Sequence, residues 1–247
     1  MSSESLYLLH TQPDPQRLAA WAARHRLLDK EGDLGYTLHA LLHAAFDEQA
    51  PQPFRYLDAE QGLLAYTRLD ATGLMQLSAL ADPDVAAALG LGQTCQNDGI
   101  SVRAFPTQWA VGHTLGFEVR VRPIIREGKT GRERDAFLAA AEKAQGSTLD
   151  RGEVYMQWLR DLLARQGGAE LMDARMTRYQ QLGVTRKSQK GSADDVRQSR
   201  LINGPDAVLA GHLRVTNSQA FAQLLASGLG RHRAFGFGLL LLRPARG

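Results

Sequence analysis

Apolar and polar residues along this chain repeat with two different periods, and the places where the period changes mark out its elements. Ser5–His10 is a short apolar run that reads as a strand. Pro13-Asp14-Pro15 ends it, with Asp14 placed to cap a helix and Pro15 at its first position. Leu18, Trp21, Ala22 and His25 then follow helical spacing, which predicts a helix over 15–28. After Gly32 and Gly35 a second helix starts near Tyr36, with Leu38, Leu41, Leu42, Ala45 and Phe46 on its apolar face. Phe54–Asp58 and Leu63–Leu69 read as strands around a turn. Thr72–Ala88 is helical in composition with a break at Asp82-Pro83, and Gly90–Gly112 is irregular, so a domain boundary is expected there.

Beyond that boundary Phe117, Val119 and Val121 alternate with Glu118, Arg120 and Arg122, the signature of a half-buried strand. Ile125–Arg134 is expected to be a basic loop, and 135–144 and 152–166 to be helices. The stretch 169–184 has mixed strand character, and 185–200 has no apolar periodicity and reads as a long exposed flap. Val208–Val215 is a strand, 217–226 a helix capped by Asn217 or Thr216, and Phe237–Arg243 the last strand. The first half therefore reads β-α-β-β-α with its final strand unassigned and the second β-α-β-β-α-β, and the predicted fold class is α+β: two tandem ferredoxin-like (RRM-like) domains over residues 1–110 and 111–247.

Composition changes this picture little until charge is mapped. Of 247 residues, 44% are hydrophobic and 22% charged, an ordinary globular balance. No apolar run reaches the ~18–20 residues of a membrane span. No signal segment is visible and Cys95 is the only cysteine, so a cytoplasmic setting is expected. The net charge of +3 conceals an asymmetry: residues 1–110 hold 7 basic and 13 acidic side chains, and residues 111–247 hold 22 and 13. Five of the 29 bases are Lys and the rest Arg, a residue whose planar fork suits phosphates. A polyanion partner and a plain compositional preference for Arg both account for that excess.

The sharpest local signal is Gly228-Leu229-Gly230-Arg231-His232-Arg233-Ala234-Phe235-Gly236-Phe237-Gly238, two Gly-apolar-Gly triplets five residues apart between a helix and a strand. Glycines permit close backbone approach and left-handed dihedrals. Such a loop either receives phosphates on its N–H groups, helped by Arg231, His232 and Arg233, or simply makes a tight connection with a basic tip. His39 and His43 lie four apart on one helix face, but no further ligand completes a metal site, and neither metal nor other cofactor is expected.

The glycine loop resembles that of the CRISPR-associated repeat-RNA endoribonucleases, all four glycines matching. Three further segments are similar to the CasE branch of that family: Gly35-Tyr36-Thr37-Leu38-His39, Phe117-Glu118-Val119-Arg120-Val121-Arg122-Pro123 and Gly211-His212-Leu213-Arg214-Val215, in the same order. The stretch 126–150 is longer than the family's usual connection. The resemblance implies a metal-independent endoribonuclease that cuts CRISPR repeat hairpins and stays bound to the RNA in an effector complex with other Cas subunits. His39 would be the catalytic histidine, as base or as acid, with Tyr36 one turn away on the same face. Arg24, Arg26, Arg231 and Arg233 are the candidates for stabilising the transition-state charge. Candidate RNA grips are Arg120 and Arg122 on the strand face, Arg126, Lys129, Arg132 and Arg134, then Arg186, Lys187 and Lys190, and the glycine loop with His232. A non-catalytic hairpin-binding subunit of such a complex is the competing reading, and an unrelated small-molecule domain a third.

Overall fold

In the computed structural model the described residues are 5–28, 34–92, 99–128, 131–144, 148–187 and 199–245. The first half runs β1 (Leu6–Thr11), α1 (Pro15–Arg24), α2 (Gly35–Phe46), β2 (Phe54–Asp58), β3 (Gly62–Thr67), α3 (Ala71–Leu80), α4 (Pro83–Leu89) and β4 (Ser101–Phe105). The second runs β5 (Thr114–Val121), β6 (Ile124–Arg126), β7 (Glu133–Asp135), α5 (Ala136–Lys143), α6 (Arg151–Gln166), β8 (Ala169–Lys187), β9 (Ser199–Val215), α7 (Ser218–Ser227) and β10 (Leu240–Pro244). Two four-stranded antiparallel sheets result, ordered β2-β3-β1-β4 and β10-β5-β9-β8. Numbered within its own half, each sheet has the order 4-1-3-2 or its reverse. The ferredoxin-like repeat is thus visible in topology although the two halves share no evident residue pattern.

The helix ends follow the sequence signals. Asp14 Oδ1 accepts from the N–H groups of Gln16 and Arg17 at 2.9 and 3.0 Å, and Asn217 Oδ1 accepts from Ala220 N–H at 2.9 Å. Helices α1–α4 cover one face of the first sheet, where Leu9, Leu63 and Ala65 meet Leu18, Leu38, Leu41, Leu42 and Leu74. Leu6, Leu8, Leu64 and Tyr66 point the other way. That second face is closed by the second half, through α7 and β10, in one core with Phe117, Val119, Tyr155, Leu159, Phe221 and Leu240. Tyr66 is 1% exposed and its hydroxyl donates to Leu240 O at 3.0 Å. Phe105, Trp109 and Phe221 continue the seam with ring centroids 6.2 and 5.2 Å apart.

The glycine loop joins α7 to β10 as a clasp. All four of its motif glycines have positive φ, from +73° to +82°. Leu229 N–H donates to Gly238 O at 2.8 Å and Gly238 N–H donates to Arg120 O at 2.7 Å, which brings the two triplets together. Leu229 and Phe237 are buried beneath them, and Gly228 abuts Pro53 of the first half.

Three expectations are corrected. The irregular stretch before residue 112 contains β4, which pairs with β1 and completes the first sheet. The basic segment 125–134 folds partly as the β6–β7 hairpin, its ends held by backbone pairing (Ile124 opposite Asp135). Both ends of the expected flap are strand: β8 extends through Lys187 and β9 starts at Ser199, while 188–198 lie outside the described residues. Ladder hydrogen bonds, which need no apolar face, carry the ribbon past the edge of the sheet. Among the described residues no helix is long and apolar enough to cross a membrane.

Two substitutions test this packing. Tyr66→Phe, which removes the seam hydroxyl and keeps the ring, is expected to cost about 1 kcal/mol in urea unfolding. Gly238→Ala faces both a left-handed backbone (φ +82°) and a Cβ 2.3 Å from Leu229 O. It is expected to lower stability by at least ~1–3 kcal/mol, read by the same denaturation.

Candidate active site and nucleic-acid interface

Helix α2 and the glycine loop come from opposite halves of the sequence, and the seam brings them into contact. The 3-10 turn Arg233–Phe235 at the tip of the loop packs on α2. The Phe235 ring lies 5.7 Å from that of His39, edge-on, and 6.0 Å from that of Tyr36. His39 and His43 are 4.6 Å apart, also edge-on, while Tyr36 and His39 are 6.4 Å apart. Burial, reinforced by the neighbouring His43, pulls the His39 imidazole from 6.5 down to about 4. His39 is therefore neutral at pH 7 and able to accept a proton.

Beside this group a cavity of about 320 Å³ opens between the halves. Leu34, Gly35 and Leu38 at the start of α2 line it, with Phe54 and Tyr56 of β2 opposite Arg120, Arg178 and Gln180. Gly236 of the loop closes one side. The cavity is thus walled by the start of α2, by a cationic sheet face and by the glycine loop; Tyr36 and His39 lie on the same helix but are not among its lining residues.

The open face of the second sheet is a lattice of ion pairs. Arg120 donates to both oxygens of Asp206 at 2.9 Å, and its guanidinium lies 4.4 Å over the Phe237 ring. Gln180 Nε2 also donates to Asp206, at 2.7 Å, and Arg178 stands 3.8 Å from it. Burial raises the Asp206 carboxyl, but these donors outweigh it and the net shift is downward. Arg55 crosses from the first half to Glu118 at 2.6 Å. His212 pairs with Asp173 at 3.0 Å, and Arg214 with Glu170.

Several expected site residues are placed differently by the fold. Arg122 does not stand on an open strand face: it is 1% exposed, donates to Leu182 O at 3.3 Å and lies against Gly204. The strand does alternate, but the β8–β9 ribbon covers its end. Arg120 is on the expected face yet engaged with Asp206. Arg24 is paired with Asp84 of α4 rather than held at His39, and Arg26 follows α1 with a left-handed backbone at φ +55° and an exposed side chain. Arg134 bonds Glu127 and Glu142, Arg126 Nε donates to Gly131 O at 3.1 Å, and Arg132 is exposed. Arg231 and His232 are both engaged by Glu133, and Arg233 donates to Ser227 O. Arg186 and Lys187 lie in the β8 backbone; Lys129, Lys190 and Cys95 lie outside the described residues. Gly228 and Gly238 serve the clasp, whereas Gly236 faces the cavity and Gly230 faces Trp158.

Sequence reasoning missed Arg55, Arg175, Arg178, Asp206 and Phe235. Strand β8 carries register shifts at 171/173 and 176/178, so Met172 and Thr177 are extra residues. Arg175 and Arg178 are three apart and strict alternation would put them on opposite faces. The shift at Thr177 returns both to the open face, opposite Ala210 and Val208. A run of mixed periodicity two residues too long was the only trace of this in the sequence.

The comparisons with known proteins agree with this architecture. Cse3, a CRISPR endoribonuclease solved bound to a 19-nucleotide RNA, aligns at TM-score 0.62 and 20% identity, over 98% of this chain and 100% of its own. Thermus thermophilus Cse3 bound to an RNA representing a pre-cleavage complex aligns at 0.60 and 20%, over 97% and 100%. A chain of a CRISPR RNA-guided surveillance complex aligns at 0.53 and 16%, over 96% and 99%. At such identities the likeness establishes the fold. No curated protein matches the sequence. The family model described as CRISPR associated protein, however, matches residues 6–244, both sheets and the clasp between them, so this chain belongs to the CRISPR-associated protein family.

Proposed function

We propose that the protein is a metal-independent endoribonuclease that cuts repeat hairpins in CRISPR precursor RNA. The observation that carries this reading is the neutral, half-buried His39 with Tyr36 on α2, docked against the glycine loop beside a cavity walled by arginines. RNA can be cut by its own 2′-hydroxyl. That oxygen loses its proton to a base, attacks the adjacent phosphorus and expels the 5′-oxygen, which takes up a proton. The products are a 2′,3′-cyclic phosphate and a 5′-hydroxyl. A neutral imidazole has the free lone pair that the first proton transfer needs, while the burial that lowers it to about 4 weakens it as a base. Tyr36 is placed to orient the nucleophile or donate to a phosphate oxygen. Arg178, which lines the cavity and is 55% exposed, is the cation we assign to meet the charge that builds on phosphorus. Arg24, Arg26 and Arg233 are remaining candidates whose side chains would have to swing towards it.

We assign the RNA grip to the open face and ribbon of the second half, with Arg175 and Arg178, then Arg186 and Lys187 farther along β8, and to Arg126 and Arg132 of the β6–β7 hairpin; Lys129 and Lys190 remain candidates from the sequence alone. Such cations contact phosphates and position the RNA without reading its bases. The solved relatives include RNA-bound Cse3 and a chain of an RNA-guided surveillance complex, which supports continued RNA binding and assembly with other Cas subunits.

Purified protein is expected to cleave repeat RNA in EDTA and to lose cleavage, but not hairpin binding, in His39→Ala. Loss of cleavage in EDTA would overturn metal independence. Tight binding without product under any condition would make the protein a non-catalytic RNA subunit. With His39 as base, kcat/KM is expected to rise as pH climbs through about 4, where the free imidazole loses its proton, and to level off by about pH 6. A rate that falls through that range would make His39 the acid. Arg178→Ala is expected to weaken hairpin binding for all sequences alike and to reduce the log–log salt slope by about 1.

A further inference from the structure

The inserted β6–β7 hairpin meets the glycine loop through one side chain. Glu133 accepts from Arg231 Nη1 at 3.1 Å and pairs with His232 Nε2 at 2.8 Å. The His232 side chain is only 5% exposed, and its backbone is left-handed at φ +60°, uncommon outside glycine. The next turn is closed by Phe235 N–H donating to His232 O at 2.8 Å, and the His232 and Phe235 rings are 6.0 Å apart. Phe235 in turn covers Tyr36 and His39.

The hairpin is a firm support for this contact. Its Asp135 accepts from Tyr155 Oη at 2.9 Å and Arg151 Nη1 at 2.8 Å, and Trp158 Nε1 donates to Ile124 O at 3.0 Å. All three donors lie on α6, so Glu133 is held by the core of the second half rather than by a free loop.

We propose that Glu133 is a positioning residue for the reaction: by holding Arg231 and His232 it fixes the turn that seats Phe235 against His39 and Tyr36. The catalytic consequence rests on the endoribonuclease reading; the packing consequence does not. Arg231 and His232 thus serve to lock the loop through the Glu133 carboxylate. The His232 hydrogen bond, working against burial and aided by the His232 and Arg231 charges, holds Glu133 at about 2. The sign follows: the latch is complete above pH 4.5 and is lost as pH falls through about 2. Glu133 therefore stays ionised while His39 titrates. The groups facing Glu133 are Arg231 and His232, with Arg132 and Arg134 on its own hairpin. Those facing His39 are Tyr36 and His43 on its own helix and Phe235 of the His232–Phe235 turn.

The test is the NMR pH titration of the His39 imidazole in the full chain and in Glu133→Ala, Glu133→Asp, Phe235→Ala and the Glu133→Ala/Phe235→Ala double variant. In Glu133→Ala and Phe235→Ala the midpoint is expected to move from about 4 towards 6.5 as water reaches the ring. The double variant is expected to match Phe235→Ala alone, and Glu133→Asp to restore part of the shift. Single-turnover cleavage at saturating RNA is expected to fall roughly 10- to 100-fold in Glu133→Ala, without weaker hairpin binding. An unchanged His39 midpoint in folded Glu133→Ala or in Phe235→Ala would overturn the proposal. So would a Glu133→Ala protein whose sole change is tighter RNA binding, since Glu133 would then be a competitor of phosphate. If Glu133→Ala does not fold, Phe235→Ala decides. If the wild-type chain cuts no RNA, the midpoints still report the packing.

Discussion

A ferredoxin-like sheet has two faces, and its own helices can cover only one. In the first half of this chain the uncovered face carries Leu6, Leu8, Leu64 and Tyr66, which water would not tolerate as an open apolar surface. Burying that face against α7 and β10 is the constraint on which the rest of the structure depends. It fixes how the halves meet, and so determines that the glycine loop following α7 lands on α2. His39 is half-buried in this arrangement, with Phe235 against its ring, and burial together with His43 pulls its imidazole down to about 4.

The second sheet solves the same problem with charge. Its open face bears Arg120 and Asp206, Asp173 and His212, and Glu170 and Arg214 in mutual ion pairs, and Glu118 paired with Arg55 of the first half. The fully buried Asp206 organises the cavity wall by fixing Arg120 and drawing Arg178 and Gln180 towards it. Removing one member of such a buried pair strands the other, so the lattice is rigid where it is deepest. Its outer members, such as Arg178 and Arg214, are about half exposed, so how firmly an arginine is held here is set by depth and not by residue type.

The same rule applies at the glycine loop. Its glycines look like a phosphate cradle in sequence, yet Gly228 and Gly238 are required by close backbone approach, and Leu229 and Gly238 direct their N–H groups to carbonyls within the protein. The β6–β7 hairpin, expected from its sequence to be a basic loop, meets the basic tip with a carboxylate: Glu133 pairs with Arg231 and His232.

The sequence alone determined the α+β class, the order of most elements and the helix caps, because these depend on period-2 and period-3.6 patterns and on local hydrogen bonds at Asp14 and Asn217. It also singled out Tyr36, His39 and the glycine loop, through short motifs in a fixed order. It did not show which arginines are free. Arg120 and Arg122 alternate correctly, yet one is bound by Asp206, 86 residues away, and the other lies under the ribbon. Nor did it show that Arg175 and Arg178 share a face, since two register shifts in β8 reset the alternation. Phe235, Glu133 and the neutrality of His39 were decided by tertiary structure alone: each arises from contacts between segments roughly 100 to 200 residues apart, and desolvation depends on what finally covers a group.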